Sequence, residues 1–164
     1  MTLQRNLTST LRHLLVLAPA GYAVGLRVSF IMPALQFQTY PAEWISIYSR
    51  DGLVMKDPTV AWGLTQTGFC RWSDLQDQDP HDVFRRARPF GLNYGVTCSH
   101  DDGTARSLAG FAHPSREFTQ TECETLLACL VELHTLTLGI DDLSPETRAT
   151  LAAIRVDFSA SRLQ

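Results

Sequence analysis

Residues 40 to 58 carry more hydrogen-bonding groups than an apolar core requires. Tyr40, Trp44 and Tyr48 recur at every fourth residue, and Asp57 follows directly before a proline. Positions four apart in a helix differ by about 40° around its axis, so the three aromatic side chains can wall one cavity. Two hydroxyls, an indole N–H and a carboxylate would together suit a small ligand that carries carbonyl and amide groups.

The same four residues also have a structural interpretation. The aromatic side chains can be ordinary core, and Asp57 is well placed to cap a helix that begins at Pro58. Buried Tyr and Trp polar atoms must nevertheless find hydrogen-bond partners, which a ligand could supply. The residues alone leave both interpretations open.

A second group of reactive residue types lies in "CSHDD", where Cys98, His100, Asp101 and Asp102 are close in sequence. Either a metal site or a Cys–His nucleophile would need further partners, and no second pair of ligands stands at a recognisable spacing. The Asp-Gly content instead favours a hairpin turn. We therefore expect no catalytic residue, no metal site and no cofactor.

Length and charge restrict the class of protein. The chain has 164 residues, enough for one domain, and a formal net charge of -3, with Lys56 as its only lysine. A domain that grips phosphate backbones would normally be basic. No stretch approaches the roughly 20 apolar residues of a membrane span, and the four cysteines form no CxxC pair. These features predict a cytoplasmic protein that neither spans a membrane nor binds DNA directly.

Hydrophobic periodicity and turn residues indicate the elements that position these side chains. The predicted elements are a helix at 6–17, a strand at 22–31, helices at 41–50 and 58–66, a strand at 68–72, a helix at 79–91, a hairpin of strands at 94–99 and 106–112, and helices at 120–138 and from 144 onward. The segment around Pro33 is predicted to be a loop. The expected fold class is α+β: an α/β/α sandwich with a central antiparallel sheet flanked by helices.

The order and spacing of the motifs resemble the autoinducer-binding domain of LuxR-type quorum-sensing regulators, which bind N-acyl-homoserine lactones. The resemblance rests on "YPAEW", Tyr48, "DP", Trp72 in "RWSDL" and "VFRRARPFGLNYGVT". It extends over most of the chain, from near residue 5 to residue 140. It implies a sensory domain for a small-molecule autoinducer, and not an enzyme.

The resemblance also implies roles for individual residues. Trp44 would donate to the lactone carbonyl, Asp57 would accept from the amide N–H, and Tyr40 would donate to the amide carbonyl. The other positions that match the family's pocket are Tyr48, Thr59, Trp72, Val83, Phe84, Ala87 and Leu92. The family's second hairpin strand commonly supplies a serine or threonine to the acyl carbonyl, and here that position matches Ala112, which has no hydroxyl.

The C-terminal residues bear on the domain organisation and on the partner. Residues 1–140 would be the sensory domain, and 141–164 a linker plus a C-terminal helix that resembles the start of a helix-turn-helix domain. The partner would be a second copy or a full-length LuxR-type regulator. Leu151, Ile154 and Phe158 form a narrow apolar stripe that must pack on a surface, either that of its own domain or that of a second chain. We predict a dimer whose contacts include this stripe and helix 120–138.

The alternative function is a ligand-independent interaction protein, a dimerisation antagonist whose pocket is filled by side chains.

Overall fold

The computed structural model describes residues 2–155, in which one five-stranded sheet separates two layers of helices. The strands are β1 (Gly21–Ser29), β2 (Met32–Gln38), β3 (Gly68–Arg71), β4 (Tyr94–Asp101) and β5 (Arg106–His113). The helices are α1 (Thr2–Leu17), α2 (Ala42–Arg50), α3 (Pro58–Thr65), α4 (Val83–Ala87), α5 (Gln120–Leu136) and α6 (Pro145–Ala152). The strand order is β2-β1-β5-β4-β3, and every neighbouring pair is antiparallel. The predicted α+β class is confirmed.

One face of the sheet carries the main core. Alternate residues of β1 point to this side, and they pack against α1 and α5 because a strand turns successive side chains to opposite faces. The fully buried side chains here include Leu7, Leu11, Leu14, Tyr22, Val24, Leu26, Leu126, Leu130 and Leu133. The Tyr22 hydroxyl donates to the Leu11 carbonyl at 2.9 Å, so its polar end is satisfied inside the core.

Helix α5 is the longest of the described helices, and the signals for its start are confirmed. Thr119 caps it, and Thr119 and Glu122 form the predicted reciprocal capping box. Residues 120–142 meet the length and composition of a membrane span, but 44% of the most apolar window is buried within the fold. α5 packs on the sheet, and its apolar residues are those of a core helix.

Strand β2 lies where the sequence predicts a loop, so that prediction is wrong. Its Leu35 and Phe37 are buried, whereas the residues between and beside them are exposed. Pro33 weakens the strand signal because it cannot donate to a ladder. β2 is nevertheless one of the two edge strands of the sheet, a position at which proline is tolerated.

Helix α4 is shorter than the predicted helix at 79–91. Asp82 has a φ of 55°, which a right-handed helix excludes, so the helix starts after it. The Asp79 carboxylate accepts from the backbone N–H groups of Val83 and Phe84, both at 2.9 Å. A short 3₁₀ turn, Arg88–Phe90, follows α4 and ends at a glycine.

Helix α6 packs on its own domain. Leu151 is fully buried and Ile154 is 9% exposed, and both belong to the main core cluster beside α1 and β2. Leu151 and Ile154 are therefore buried by their own domain, so these two residues offer no free face to a second chain. Phe158, the third member of the stripe, lies outside the described residues.

A candidate ligand-binding cavity

The other face of the sheet carries a cavity of about 560 Å³ beneath α2, α3 and α4. Ten of the predicted site residues lie in its wall: Tyr40, Trp44, Tyr48, Asp57, Thr59, Trp72, Val83, Phe84, Ala87 and Leu92. The eleventh, Ala112, is fully buried in the surrounding apolar cluster and is not part of the wall. On the same strand, Gly110 lies in the wall, and a Cβ there would stand 3.0 Å from the Tyr40 hydroxyl.

Asp57 both caps α3 and faces the cavity. One carboxylate oxygen, Oδ1, accepts from the Thr59 backbone N–H at 2.8 Å and from the Thr59 hydroxyl at 2.7 Å. The other oxygen, Oδ2, accepts from the Tyr48 hydroxyl at 2.8 Å. The two interpretations of Asp57 are therefore compatible. Since each carboxylate oxygen offers about two acceptor positions, Oδ2 keeps one for a further donor.

Burial sets the electrostatics of this end of the cavity. Burial raises the pKa of Asp57, although the hydrogen bonds from Thr59 and Tyr48 act in the opposite direction. Burial and the nearby Asp57 charge raise the pKa of both Tyr40 and Tyr48. Both phenols therefore stay protonated and act as donors. Within the described residues, the cavity wall contains no Lys, Arg or His, so Asp57 has no cation there to pair with.

Two donors in the wall have no hydrogen-bond partner among residues 2–155: the Tyr40 hydroxyl and the Trp44 indole N–H. In the same range, every fully enclosed polar side-chain atom does have a partner. The two donors therefore border the cavity space, and a bound molecule with acceptor oxygens could satisfy both. Together with Oδ2 of Asp57, they place two donors and one acceptor around one region.

Aromatic rings hold this polar group in place. Trp44 packs edge-on against Tyr48, and it also packs against Phe90, each with 5.8 Å between ring centroids. Trp72 lies 5.8 Å from Phe84, and its indole N–H donates to the Thr97 hydroxyl at 3.2 Å. This end of the cavity is therefore closed by packed aromatic side chains.

The Trp72 ring also lies directly on the sheet. A Cβ on Gly95 would come within 2.1 Å of the ring, so only glycine fits beneath it. The neighbouring position Val96 is on the opposite face, fully buried in the main core. Gly95 thus lets the helical layer touch the sheet at β4.

The sheet contributes wall residues that sequence reasoning missed. They are Ala23, Gly25, Val28, Pro33, Gln36, Gln38, Thr97, Leu108 and Gly110. The alternation in "LQFQ" could have revealed Gln36 and Gln38, but Pro33 concealed that strand. The bulge between Gly25 and Val28 shifts the β1–β5 register, which no local pattern predicts.

The "CSHDD" segment forms a hairpin and a structural cluster on the main-core side. Asp102 bonds to His134 Nε2 at 2.7 Å, and Ser107 bonds to His134 Nδ1 at 2.6 Å. Ser107 is fully buried and also accepts from the Arg27 backbone N–H, so no substrate can reach its hydroxyl. Burial raises the pKa of the Cys98 thiol, which disfavours a nucleophilic thiolate. In the described part of the chain, no group of three or more His, Cys, Asp or Glu side chains could hold a metal ion.

Comparison with known families places residues 20–137 in the autoinducer binding domain family. Among curated proteins, the transcriptional activator protein SolR from Ralstonia nicotianae is 32% identical over 142 residues, which are 81% of this chain and 59% of that protein. SolR from Ralstonia solanacearum is 32% identical over 138 residues, 79% of this chain and 58% of that protein. The chain therefore spans somewhat more than half the length of these relatives.

Solved structures of LuxR-type proteins share the fold. A complex of SdiA with octanoyl-rac-glycerol has a TM-score of 0.60 at 20% identity, and the match covers 88% of this chain and 67% of that one. CepR2 from Burkholderia cenocepacia, described as an N-acylhomoserine lactone dependent LuxR family transcription factor, has a TM-score of 0.52 at 19% identity, over 72% of this chain and 71% of that one. At these identities, the likeness concerns the fold alone.

Proposed function

Since the chain belongs to the LuxR-type autoinducer binding domain family, we propose that it is a quorum-sensing receptor domain for an N-acyl-homoserine lactone. The polar groups around the cavity support this proposal most directly. Trp44 and Tyr40 present N–H and O–H groups that no other residue of 2–155 pairs with, and Asp57 keeps one acceptor position on Oδ2. An acyl-homoserine lactone carries the complementary set, namely carbonyl oxygens and one amide N–H, on a hydrocarbon tail.

The individual contacts are assigned as the family resemblance implies, and the donors and acceptor in the wall are compatible with them. Trp44 Nε1 donates to the lactone carbonyl, the Tyr40 hydroxyl donates to the amide carbonyl, and Asp57 accepts from the amide N–H. A hydrogen bond to an ionised acceptor contributes about 1.5–3 kcal/mol, more than a neutral one. Asp57 is therefore the strongest single anchor.

The charge of the wall predicts which ligands are rejected. Asp57 is buried and lacks a cation in the described wall, so a second negative charge would be repelled in a medium of low dielectric. A fatty acid, or the ring-opened acyl-homoserine with its free carboxylate, should bind far more weakly than the intact lactone. A neutral monoacylglycerol can also donate a hydroxyl to Asp57, and it is the chemically closest competitor.

The alternative of a pocket filled by side chains is not favoured. The side chains leave a cavity of about 560 Å³, a volume typical of small-molecule sites. Ligand binding to the folded state alone would stabilise it by about 2.7 kcal/mol at a hundredfold excess over Kd.

The test is calorimetric titration of the full 164-residue chain with octanoyl-homoserine lactone, its ring-opened acid, octanoate and octanoyl-rac-glycerol. We expect the intact lactone to bind, and both carboxylates to fail at the same concentrations. Binding of the ring-opened acid as tight as that of the lactone would contradict the assignment of Asp57. If none of the four compounds binds, the proposal is wrong.

We extend the proposal to the partner and the compartment. The domain pairs in the cytoplasm with a second LuxR-type chain, either a second copy or a full-length regulator, and these 164 residues do not contact DNA, given their net charge of -3. Light scattering with and without lactone measures self-association. Co-purification with a differently tagged full-length regulator measures the mixed pair, and a gel shift measures DNA binding.

A further inference from the structure

The space between the sheet and the helical layer widens from β4 to β1. A Cβ on Gly95 of β4 would lie 2.1 Å from the Trp72 ring, and one on Gly110 of β5 would lie 3.0 Å from the Tyr40 hydroxyl. A Cβ on Gly25 of β1 would have only sheet atoms as its three nearest neighbours, at 3.4, 3.7 and 3.8 Å. The helical layer therefore rests on β4, contacts β5 and leaves open space above β1.

Small residues make the floor of this space. Ala23 pairs with Gly110 in the β1–β5 register, and Gly25 lies two residues further along the same face of β1. Both line the cavity, and neither fills it. Beyond them come Val28 and then Met32, in the hairpin that joins β1 to β2.

The far end of the space opens to solvent. Met32 is 69% exposed and Ile31 is 42% exposed, whereas Trp44 and Trp72 at the other end are 4% and 8% exposed. The wall between the two ends includes the aliphatic residues Pro33, Val60 and Leu64, and Gln36 and Gln38 of β2 border the floor beside Gly25 and Ala23. The cavity thus leads from a closed polar end, over a shallow floor, to an open apolar end.

The length of the floor follows from strand geometry. Because β1 bulges between Gly25 and Val28, the length is read from its partner β5, where Gly110 lies opposite Ala23 and Arg106 lies opposite Val28. A strand advances about 3.3 Å per residue, so these four steps span about 13 Å, close to an extended chain of about ten carbons. We propose that the cavity favours ligands with a long unbranched acyl chain, of which it buries about ten to twelve carbons, and that the small side chains of Ala23 and Gly25 keep the floor open for that chain. This inference rests on the proposed function, because the polar anchors must hold the head group at the closed end.

The open end makes a specific prediction for a chain-length series. The full-length chain is titrated with butanoyl-, hexanoyl-, octanoyl-, decanoyl-, dodecanoyl- and tetradecanoyl-homoserine lactone. Each buried methylene should strengthen binding by about fourfold, up to the decanoyl or dodecanoyl ligand. Because further carbons reach solvent, the affinity should then level off, whereas a closed pocket would reject the longest ligand.

Two variants test the residues assigned to length. In Gly25→Leu, the added side chain occupies the floor at its middle, so dodecanoyl binding should fall by at least about tenfold while hexanoyl binding stays within about twofold of the parent. In Ala23→Leu, the limit moves closer to the head group, so losses should begin with shorter ligands. Gly25 has no left-handed φ that would itself oppose a side chain.

Ala34→Leu is the matched control, since Ala34 is an exposed residue of β2 outside the cavity wall. It should leave the whole series unchanged. If Gly25→Leu does not fold, Gly25→Ala and Ala23→Val are titrated with the same series, and a selective loss of the longest ligands supports the inference.

The outcomes separate this inference from the proposed function. Tightest binding of the butanoyl or hexanoyl lactone, or equal losses for all chain lengths in the floor variants, overturns the length assignment and leaves the receptor proposal standing. Failure of every lactone to bind overturns both.

Discussion

Replacing Asp57 by asparagine separates ligand recognition from folding. In the variant, the remaining oxygen can still accept both hydrogen bonds from Thr59, so the start of α3 is preserved. The amide nitrogen takes the place of Oδ2 and can donate to the Tyr48 oxygen. The only lost group is the acceptor position that faces the cavity.

The magnitude follows from that exchange. The ligand amide N–H loses a bond to a charged acceptor, which is worth about 1.5–3 kcal/mol, or about tenfold to 150-fold in Kd. In addition, it meets an N–H donor where it previously met an acceptor. The loss should therefore lie toward the upper end of this range.

The same substitution should increase the free energy of unfolding of the ligand-free protein, relative to the parent, as the pH rises. Burial raises the pKa of Asp57 in the folded state, so the stability contributed by this group is complete below its unfolded pKa and is lost as the pH rises through the folded pKa. The asparagine variant does not titrate. Relative to the parent, its free energy of unfolding should therefore improve from about pH 4 towards neutral pH.

The assay is calorimetric titration with octanoyl-homoserine lactone, together with urea unfolding of the ligand-free proteins across this pH range. Tyr48→Phe is the matched control, because it removes a donor to the same carboxylate and leaves the acceptor in place. It should bind lactone more tightly than the asparagine variant. An asparagine variant that binds lactone as well as the parent would refute the role assigned to Asp57.

Three further predictions concern other parts of the molecule. Trp44→Phe removes the indole N–H, which has no partner among residues 2–155, and should weaken lactone binding by about 0.5–1.5 kcal/mol in the same titration. It should also lower the free energy of unfolding, because the smaller ring leaves part of the packing against Tyr48 and Phe90 unfilled. Gly95→Ala forces a Cβ into the Trp72 ring and should destabilise the fold by about 1–3 kcal/mol in urea, whereas a neutral result would contradict the close packing of ring and strand. Leu151→Ala should cost about 2–5 kcal/mol of unfolding free energy, because this fully buried side chain belongs to the main core; a cost below about 0.5 kcal/mol would mean that α6 does not pack on its own domain.

The sequence predicted elements whose signals are local. The Thr119–Glu122 capping box marks the start of α5, and Asp57 before Pro58 marks the start of α3. β2 was missed because its proline is tolerated only at a sheet edge, and edge position is a property of the whole sheet.

The same distinction between local and long-range signals applies to the cavity. Helical spacing predicted that Trp44 and Tyr48 lie in one wall, because side chains four apart share a helix face. Tyr40 also lies in this wall but precedes α2, and the other residues of the helical wall were implied by the family resemblance. The sheet wall depends on which strands pair and in which register, so Gly25 and Thr97 could not be predicted from local pattern. The ligand-binding roles of all these residues stay predictions.

The double use of Asp57 affects how sequences of this family can be interpreted. Since the same carboxylate starts α3, a descendant that no longer needs a ligand would still be selected to keep a capping residue at this position. An aspartate here is therefore weak evidence that a related chain still responds to a signal. Trp44 is the better marker, because its N–H has no partner among residues 2–155, and its packing against Tyr48 and Phe90 requires a large aromatic ring but not an indole N–H.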